Sequence, residues 1–139
     1  MIKRGAAGFL IGKRDENQNW LFLALFAPLE KRINRSGMYD IPKGARKAGE
    51  TFLECAKREC FEETRIQIRD NQITGECIKI DNIAIYPAVS DNDPIIEPNP
   101  ETGILEHDGF EWVSRDSICE KSLDYLRPHI ISCIRSYFV

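Results

Sequence analysis

Three glutamates and one arginine lie within six residues of each other, in the segment "RECFEE" from Arg58 to Glu63. Glu59 and Glu63 are four residues apart, and Glu59 and Glu62 are three apart, so a helix places their carboxylates close together. Like charges at these spacings repel one another, and the repulsion is stronger beside apolar neighbours. The pattern therefore predicts a compensating positive charge.

Two kinds of cation can supply this charge. Arg58 carries one positive charge and reaches Glu62 or the preceding Glu50, but one guanidinium does not neutralise three carboxylates. Mg²⁺ prefers oxygen ligands and can be held by a few carboxylates while it also binds a substrate phosphate. The alternative interpretation is that the glutamates are ordinary solvated surface charges.

The element that carries these residues has a clear start. Thr51 is followed three residues later by Glu54, which is the pattern of a capping box, so we predict a helix from Thr51 to Thr64. Phe52, Ala56 and Cys60 form its apolar arc. Only Glu54 is expected to be fully solvated.

The remaining elements alternate between strands and helices. The runs "GAAGFLIGKR" and "NWLFLALFAP" predict a hairpin whose second strand is buried on both faces. "ITGECIKI" and "NIAIYPAV" predict two strands joined near Asp81, and "DGFEWV" a last one. A short helical turn after Ser114 and a terminal helix from Pro128 complete the chain. We predict an α/β domain with a mixed sheet flanked by helices.

One long segment, Ser90 to His107, carries three prolines and is rich in acidic residues. Prolines exclude it from a central strand, and loops of this length are usually functional or mobile. We expect the loop to close over a ligand. His107, at its end, is expected to be a surface or loop histidine rather than a metal ligand.

The composition of the chain excludes some classes of partner. The chain has 139 residues, 42% of them apolar, which fits a single domain over residues 1–139. A net charge of −3 and a pI near 5.5 argue against DNA as a partner and make RNA improbable, although a small phosphorylated molecule is compatible. Five cysteines without a C-x-x-C pair indicate reduced thiols in the cytoplasm. No signal peptide, membrane span or membrane partner is expected.

The segment from Gly44 to Ile66 resembles the signature of the Nudix hydrolases, G-x5-E-x7-R-E-U-x-E-E-x-G-U, where U is a bulky aliphatic residue. Two positions differ, since Cys60 replaces the aliphatic residue and Arg65 replaces the glycine. Because a glycine there usually ends the helix in the left-handed conformation, we expect Arg65 to shift the end of the helix. The matching positions are Gly44, Glu50, Arg58, Glu59, Glu62, Glu63 and Ile66.

The resemblance implies an α/β/α sandwich that hydrolyses a phosphoanhydride in a nucleoside diphosphate linked to another group, using Mg²⁺ or Mn²⁺. It implies that Gly44, Glu59, Glu62 and Glu63 bind the metal and that Arg58 and Glu50 form a supporting ion pair. Glu63, Glu59 and Arg58 would then be catalytic. The proton acceptor is Glu63 or Glu59, or Glu106 outside the signature.

The resemblance also bears on the substrate. "IPKG" is similar to members that act on dinucleoside polyphosphates or diphosphoinositol polyphosphates, as in diadenosine tetraphosphate hydrolases. Lys43 would contact phosphate. Tyr39 and Tyr86 are aromatic residues that can bind the substrate by stacking, and core packing is the alternative for each. A non-catalytic nucleotide-binding domain and an enzyme acting on RNA 5′ ends are the alternatives. The sequence leaves open a monomer or a homodimer.

Overall fold

A computed structural model describes residues 4–29 and 37–139, which include every predicted site residue. The chain forms a seven-stranded sheet with helices on both faces. The strands are β1 (Ala6–Arg14), β2 (Trp20–Phe26), β3 (Tyr39–Asp40), β4 (Lys43–Ala45), β5 (Ile78–Ile80), β6 (Ile83–Val89) and β7 (Phe110–Ser114). The helices are α1 (Phe52–Thr64), α2 (Arg115–Lys121) and α3 (Arg127–Tyr137).

The sheet is mixed, as predicted. Its order is β3-β2-β1-β6-β5, with β4 added to β1 and β7 added to β2. β1 and β6 are parallel, whereas the other pairs are antiparallel. The predicted hairpin of β1 and β2 is confirmed. The fold class is therefore confirmed as α/β.

The two central strands are buried on both faces, so their side chains divide between two cores. On β2, Phe22 and Ala24 face α2 and α3, while Leu23 and Leu25 face α1. This alternation explains why Trp20 to Ala27 reads as an unbroken apolar run.

A gap between β1 and β2 positions the functional segment. These strands pair with each other only over Gly12–Arg14 and Trp20–Phe22. Beyond Gly12 they separate, and residues 39–45 fill the space: β3 pairs with the end of β2 and β4 pairs with the start of β1. The Phe9 N–H donates to the Pro42 carbonyl at 3.1 Å inside this gap. The segment "YDIPKGA" is thus held between two core strands, with α1 packed against β1 and β4.

Several boundaries differ from the sequence prediction. β5 covers only Ile78–Ile80, and Ile73 forms a single bridge with Ala88. Asp81 and Asn82 make the predicted turn, and both have positive φ. The predicted terminal helix begins one residue earlier, at Arg127. Strands β3 and β4 are too short to produce a periodic pattern, and the sequence did not reveal them.

The end of α1 corrects one expectation. The helix ends at Thr64, and Arg65 itself adopts the left-handed conformation with φ 62°. Its N–H donates to the Phe61 carbonyl at 2.8 Å, and its guanidinium donates to the same carbonyl at 3.2 Å. These bonds offset the cost of a left-handed residue with a Cβ, which is about 1–2 kcal/mol. Arg65 therefore does not shift the end of the helix.

The loop from Ser90 to His107 contains no helix or strand, as predicted. The Ile95 N–H donates to the Thr64 carbonyl at the end of α1 at 2.9 Å, and the Trp112 indole N–H donates to Asp93 at 2.7 Å. Within the described residues, no helix is long and apolar enough to cross a membrane.

The aromatic packing under α3 gives a stability prediction. The ring of Phe138 is fully buried and meets Trp20 and Phe22 edge to face, with centroids 5.0 and 5.1 Å away. Phe138→Ala is expected to lower the free energy of unfolding by about 3–5 kcal/mol, measured by urea denaturation. Phe61→Ala on exposed α1 surface is the matched control and should cost less than about 1 kcal/mol. Equal losses would contradict this packing.

Candidate metal and catalytic site

Helix α1 begins as its sequence predicts. Thr51 is the N-cap and accepts the Glu54 N–H at 3.0 Å, while the Glu54 carboxylate accepts the Thr51 N–H at 2.8 Å. This capping box fixes the register of the helix and so determines which glutamates face the sheet. Glu54 itself is exposed, as expected.

The three signature glutamates are not solvated surface charges. The side chains of Glu59, Glu62 and Glu63 are 15%, 17% and 3% exposed. The interpretation that they are ordinary surface residues is therefore excluded.

Arg58 binds three glutamates at once. Its Nε and Nη2 donate to both oxygens of Glu50 at 2.7 and 3.0 Å, which is a bidentate pair. Its Nη1 donates to Glu59 at 2.8 Å and to Glu62 at 3.0 Å. The hydrogen bonds from Arg58 lower the pKa of Glu50 to about 2, and those from Glu50, Glu59 and Glu62 raise the pKa of Arg58 above its ordinary value. The guanidinium therefore fixes the spacing of these carboxylates.

Glu63 lies outside this arginine cluster. Its Oε1 is 3.6 Å from His107 Nδ1, and its buried Oε2 has no hydrogen-bond partner among the described residues. Burial raises its pKa well above the ordinary value, and the charges of Asp40, Glu59 and Glu106 add to this, although Lys43 opposes them. Burial thus disfavours the charged form of Glu63, and its Oε2 is free to accept a ligand.

His107 corrects the expectation of a surface histidine. It ends the long loop, but its side chain is only 4% exposed, and its Nε2 lies 3.0 Å from Asp40 Oδ2. Asp40 is 1% exposed. Neither residue was predicted from the sequence as a member of the site. The available signal was their position, since Asp40 begins the "DIPKG" run and His107 follows Glu106.

Lys43 pairs with Asp40 across the same turn, with Nζ 3.1 Å from Oδ1. Burial opposes its charge, but Asp40, Tyr125 and Glu63 outweigh burial and raise its pKa above the ordinary value. Burial likewise opposes ionisation of Asp40, yet Lys43 and His107 hold the pKa of that carboxyl well below its usual range. Lys43 and Asp40 are therefore a charged pair beside Glu63.

A narrow cavity lies next to Glu63. Its volume is about 10 Å³, which is room for about one water molecule. Glu106, which is exposed, joins the cavity from the loop. The lining residues are Glu62, Glu63, Ile96, Glu97, Asn99, Glu106 and His107. The structure thus places Glu106 beside Glu62 and Glu63, and its role as a proton acceptor stays a prediction.

Gly44 lies directly against Glu59. A Cβ built on Gly44 would be 2.1 Å from the Glu59 carboxyl carbon, so a side chain at this position would displace the Glu59 carboxylate. The Gly44 carbonyl accepts the Cys55 thiol at 3.3 Å, and burial raises the pKa of that thiol to about 11, which keeps it a donor.

The predicted stacking tyrosines occupy different faces. Tyr39 is 5% exposed, belongs to the core under α2 and α3, and stacks on Phe26 at 6.0 Å. Because successive strand residues point to opposite faces, Asp40 faces the site and Tyr39 does not. We therefore correct the assignment of Tyr39 as a substrate-binding residue. Tyr86 is half-buried on the α1 face and contacts Phe9.

The donor set has the chemistry of a hard cation site. Its carboxylate and carbonyl oxygens are the ligands that Mg²⁺ prefers, and the partnerless Glu63 Oε2 is available for one. Within residues 4–29 and 37–139, no three acidic, histidine or cysteine side chains converge as metal ligands. Arg58 holds Glu59 and Glu62, and His107 lies beside Glu63. The residues fit a divalent cation by type and neighbourhood.

Comparison with known proteins shows the family and the fold of the chain. A family model described as the NUDIX domain matches residues 3–134. The fold resembles an Ap4A hydrolase from C. elegans, with 18% identity, TM-score 0.61 and coverage of 95% of this chain and 97% of that one. It also resembles MutT proteins from Methanosarcina mazei (23% identity, TM-score 0.60, 98% of each chain) and Bacillus halodurans (21%, 0.59, 91% and 80%). These identities show a shared fold. No curated protein matches the chain in sequence.

The Glu50–Arg58 pair predicts a pH dependence. Because the folded pKa of Glu50 is about 2, below the ordinary 4.5, the pair stabilises the fold above pH 4.5 and loses this effect as the pH falls towards 2. A shift of this size corresponds to about 3 kcal/mol, and solvent screening should reduce it to about 1–2 kcal/mol. The free energy of unfolding, measured with denaturant, should therefore differ between wild type and Glu50→Gln at pH 6 and become similar near pH 2.5. A constant difference over this pH range would contradict the prediction.

Proposed function

The chain belongs to the Nudix family of phosphoanhydride hydrolases, and we propose that it is a Mg²⁺-dependent enzyme whose substrate is a dinucleoside polyphosphate or a related nucleotide. The observation that carries the proposal is the buried, partnerless Oε2 of Glu63, beside a cavity that Glu62 and Glu106 also line. A buried carboxylate oxygen without a partner is costly unless a ligand satisfies it.

The cation would be held by Glu59, Glu62, Glu63 and the Gly44 carbonyl, with Mn²⁺ as a substitute. When bound, it supplies charge neutralisation on the phosphates and makes water a nucleophile near neutral pH. Arg58 and Glu50 orient the ligands, since Arg58 contacts Glu59 and Glu62 directly.

In this proposal, a carboxylate of the cluster accepts the proton of the attacking water. Glu63 and Glu59 are the candidates within the signature, and Glu106 is the candidate outside it. Glu106 is exposed at the mouth of the cavity, so it reaches a substrate without rearrangement of the core.

Substrate binding involves Lys43 and Tyr86 in this proposal. The Lys43 ammonium is held by Asp40 and Tyr125, and its positive charge lies beside Glu63, where it would attract a phosphate. The Ap4A hydrolase among the similar structures makes diadenosine tetraphosphate the first substrate to test. The described cysteines are all unpaired, which agrees with a reducing, cytoplasmic location.

The test is a product profile by anion-exchange chromatography, with and without Mg²⁺. The panel contains diadenosine tetraphosphate, NTPs and dNTPs, NADH, ADP-ribose, a diphosphoinositol polyphosphate and triphosphorylated RNA. We expect Mg²⁺-dependent cleavage of a dinucleoside polyphosphate, with the products locating the broken bond. Preferred cleavage of RNA would contradict the substrate class, and tight nucleotide binding without products would indicate a binding domain.

The residue assignment has its own test. The double variant Glu62→Gln, Glu63→Gln removes two carboxylates with little change in shape, and turnover is expected to fall at least ~100-fold. Glu54→Gln is the matched control, because Glu54 lies on the same helix but is exposed and keeps its role in the capping box. Full turnover by the double variant would contradict metal binding at these residues.

A further inference from the structure

Asp40 is held rigidly at the base of the site. Its Oδ1 accepts the Ile41 N–H at 2.8 Å and lies 3.1 Å from the Lys43 ammonium, while its Oδ2 lies 3.0 Å from His107 Nε2. Both of its oxygens are therefore used, and its side chain is 1% exposed. Because residues 39–45 are fixed between β1 and β2, the position of Asp40 is fixed relative to the sheet, and a side chain that binds to Asp40 is fixed with it.

His107 connects Asp40 to α1. Asp40 is an ionised acceptor, so the Nε2 atom of the ring must carry the hydrogen that it donates. Glu63 Oε1 lies 3.6 Å from the other nitrogen, Nδ1, beyond hydrogen-bond distance, and the ring attracts both carboxylates when it is an imidazolium with a hydrogen on each nitrogen. The imidazole thus spans the distance between a carboxylate of β3 and a carboxylate of α1, which are 23 positions apart in sequence.

We propose that Asp40 and His107 are a positioning pair that determines which oxygen of Glu63 is presented to the cation. With Oε1 turned towards His107, the partnerless Oε2 is the oxygen that remains for a ligand. This role rests on the proposed function. His107 itself is not a ligand in this arrangement, and it acts only through Glu63.

The two amide substitutions of His107 separate bridging from simple anchoring. The amide nitrogen of Gln lies near the position of Nε2, so His107→Gln keeps the contact with Asp40 and loses the group that faces Glu63. His107→Asn keeps a polar atom near Nδ1 and loses the contact with Asp40. If the ring acts as a bridge, both variants bind Mn²⁺ more weakly than the wild type. If the ring only attaches the loop to Asp40, His107→Gln binds Mn²⁺ as tightly as the wild type.

The chain provides a matched control. It has two histidines, and His129 is also buried, at 1% exposure. His129 lies on α3, on the opposite face of the sheet, where its Nε2 lies 3.2 and 3.1 Å from the carbonyls of Ile80 and Ile83. His129→Gln should lower the melting temperature without changing metal affinity.

The experiment measures Mn²⁺ affinity of the metal-free protein by electron paramagnetic resonance, with circular dichroism to verify folding. We expect 10–100-fold weaker binding for both His107→Asn and His107→Gln, as is typical when a residue that orients a ligand is replaced. Asp40→Asn should weaken binding to a similar degree. Combining it with His107→Gln should add little, because both changes break the same bridge.

The outcomes distinguish this inference from the proposed function. Wild-type affinity in folded His107→Gln overturns the bridge while the enzyme assignment stands. Additive losses in the Asp40→Asn, His107→Gln double variant would also overturn it. Failure of the wild type to bind Mn²⁺ would overturn the proposed function and the positioning role with it.

Discussion

Negative charge concentrated beside an apolar core is the constraint on which the rest of this structure depends. Five carboxylates of the site are partly or fully buried: Asp40, Glu50, Glu59, Glu62 and Glu63. Lys43 pairs with Asp40, Arg58 pairs with Glu50, Glu59 and Glu62, and Glu63 lies beside His107. Burial of an ionised carboxylate is costly unless it is paired or hydrogen-bonded. Four of the five have such partners, and Glu63 has one oxygen without any. The unsatisfied oxygen is therefore Glu63 Oε2, and this is where we propose that the cation binds.

The fold places these charges together by separating two core strands. β1 and β2 pair over a short stretch and then diverge. Residues 39–45 enter the space between the two strands and pair with both of them, which satisfies their backbone hydrogen bonds. Asp40, Lys43 and Gly44 enter the site in this way. Helix α1 then covers the gap and contributes the glutamates, and the long loop returns His107 to the same place. Three segments distant in sequence thus meet at one point.

The sequence predicted the parts of this arrangement that depend on local periodicity. The capping box at Thr51 located α1, and the spacing of Glu59, Glu62 and Glu63 placed them together. The double burial of β2 followed from its unbroken apolar run. Arg65 was misjudged because its guanidinium bonds to helix carbonyls, which local propensity does not take into account.

The residues that the sequence did not reveal are those joined by long-range contacts. Asp40 and His107 are 67 positions apart and carry no shared spacing or motif. Tyr39 was assigned to the substrate because it is aromatic, but a two-residue strand determines its face, and so short a strand leaves no alternation to detect. Burial of His107 likewise depends on the path of an irregular loop.

The most direct measurement is a crystal structure with Mn²⁺, in which anomalous scattering locates the ion. We predict an ion bonded to Glu63 Oε2, with Glu63 Oε1 still facing His107 and the His107–Asp40 contact intact. An ion bound elsewhere on the chain, with Glu63 Oε2 unliganded, would contradict the central claim.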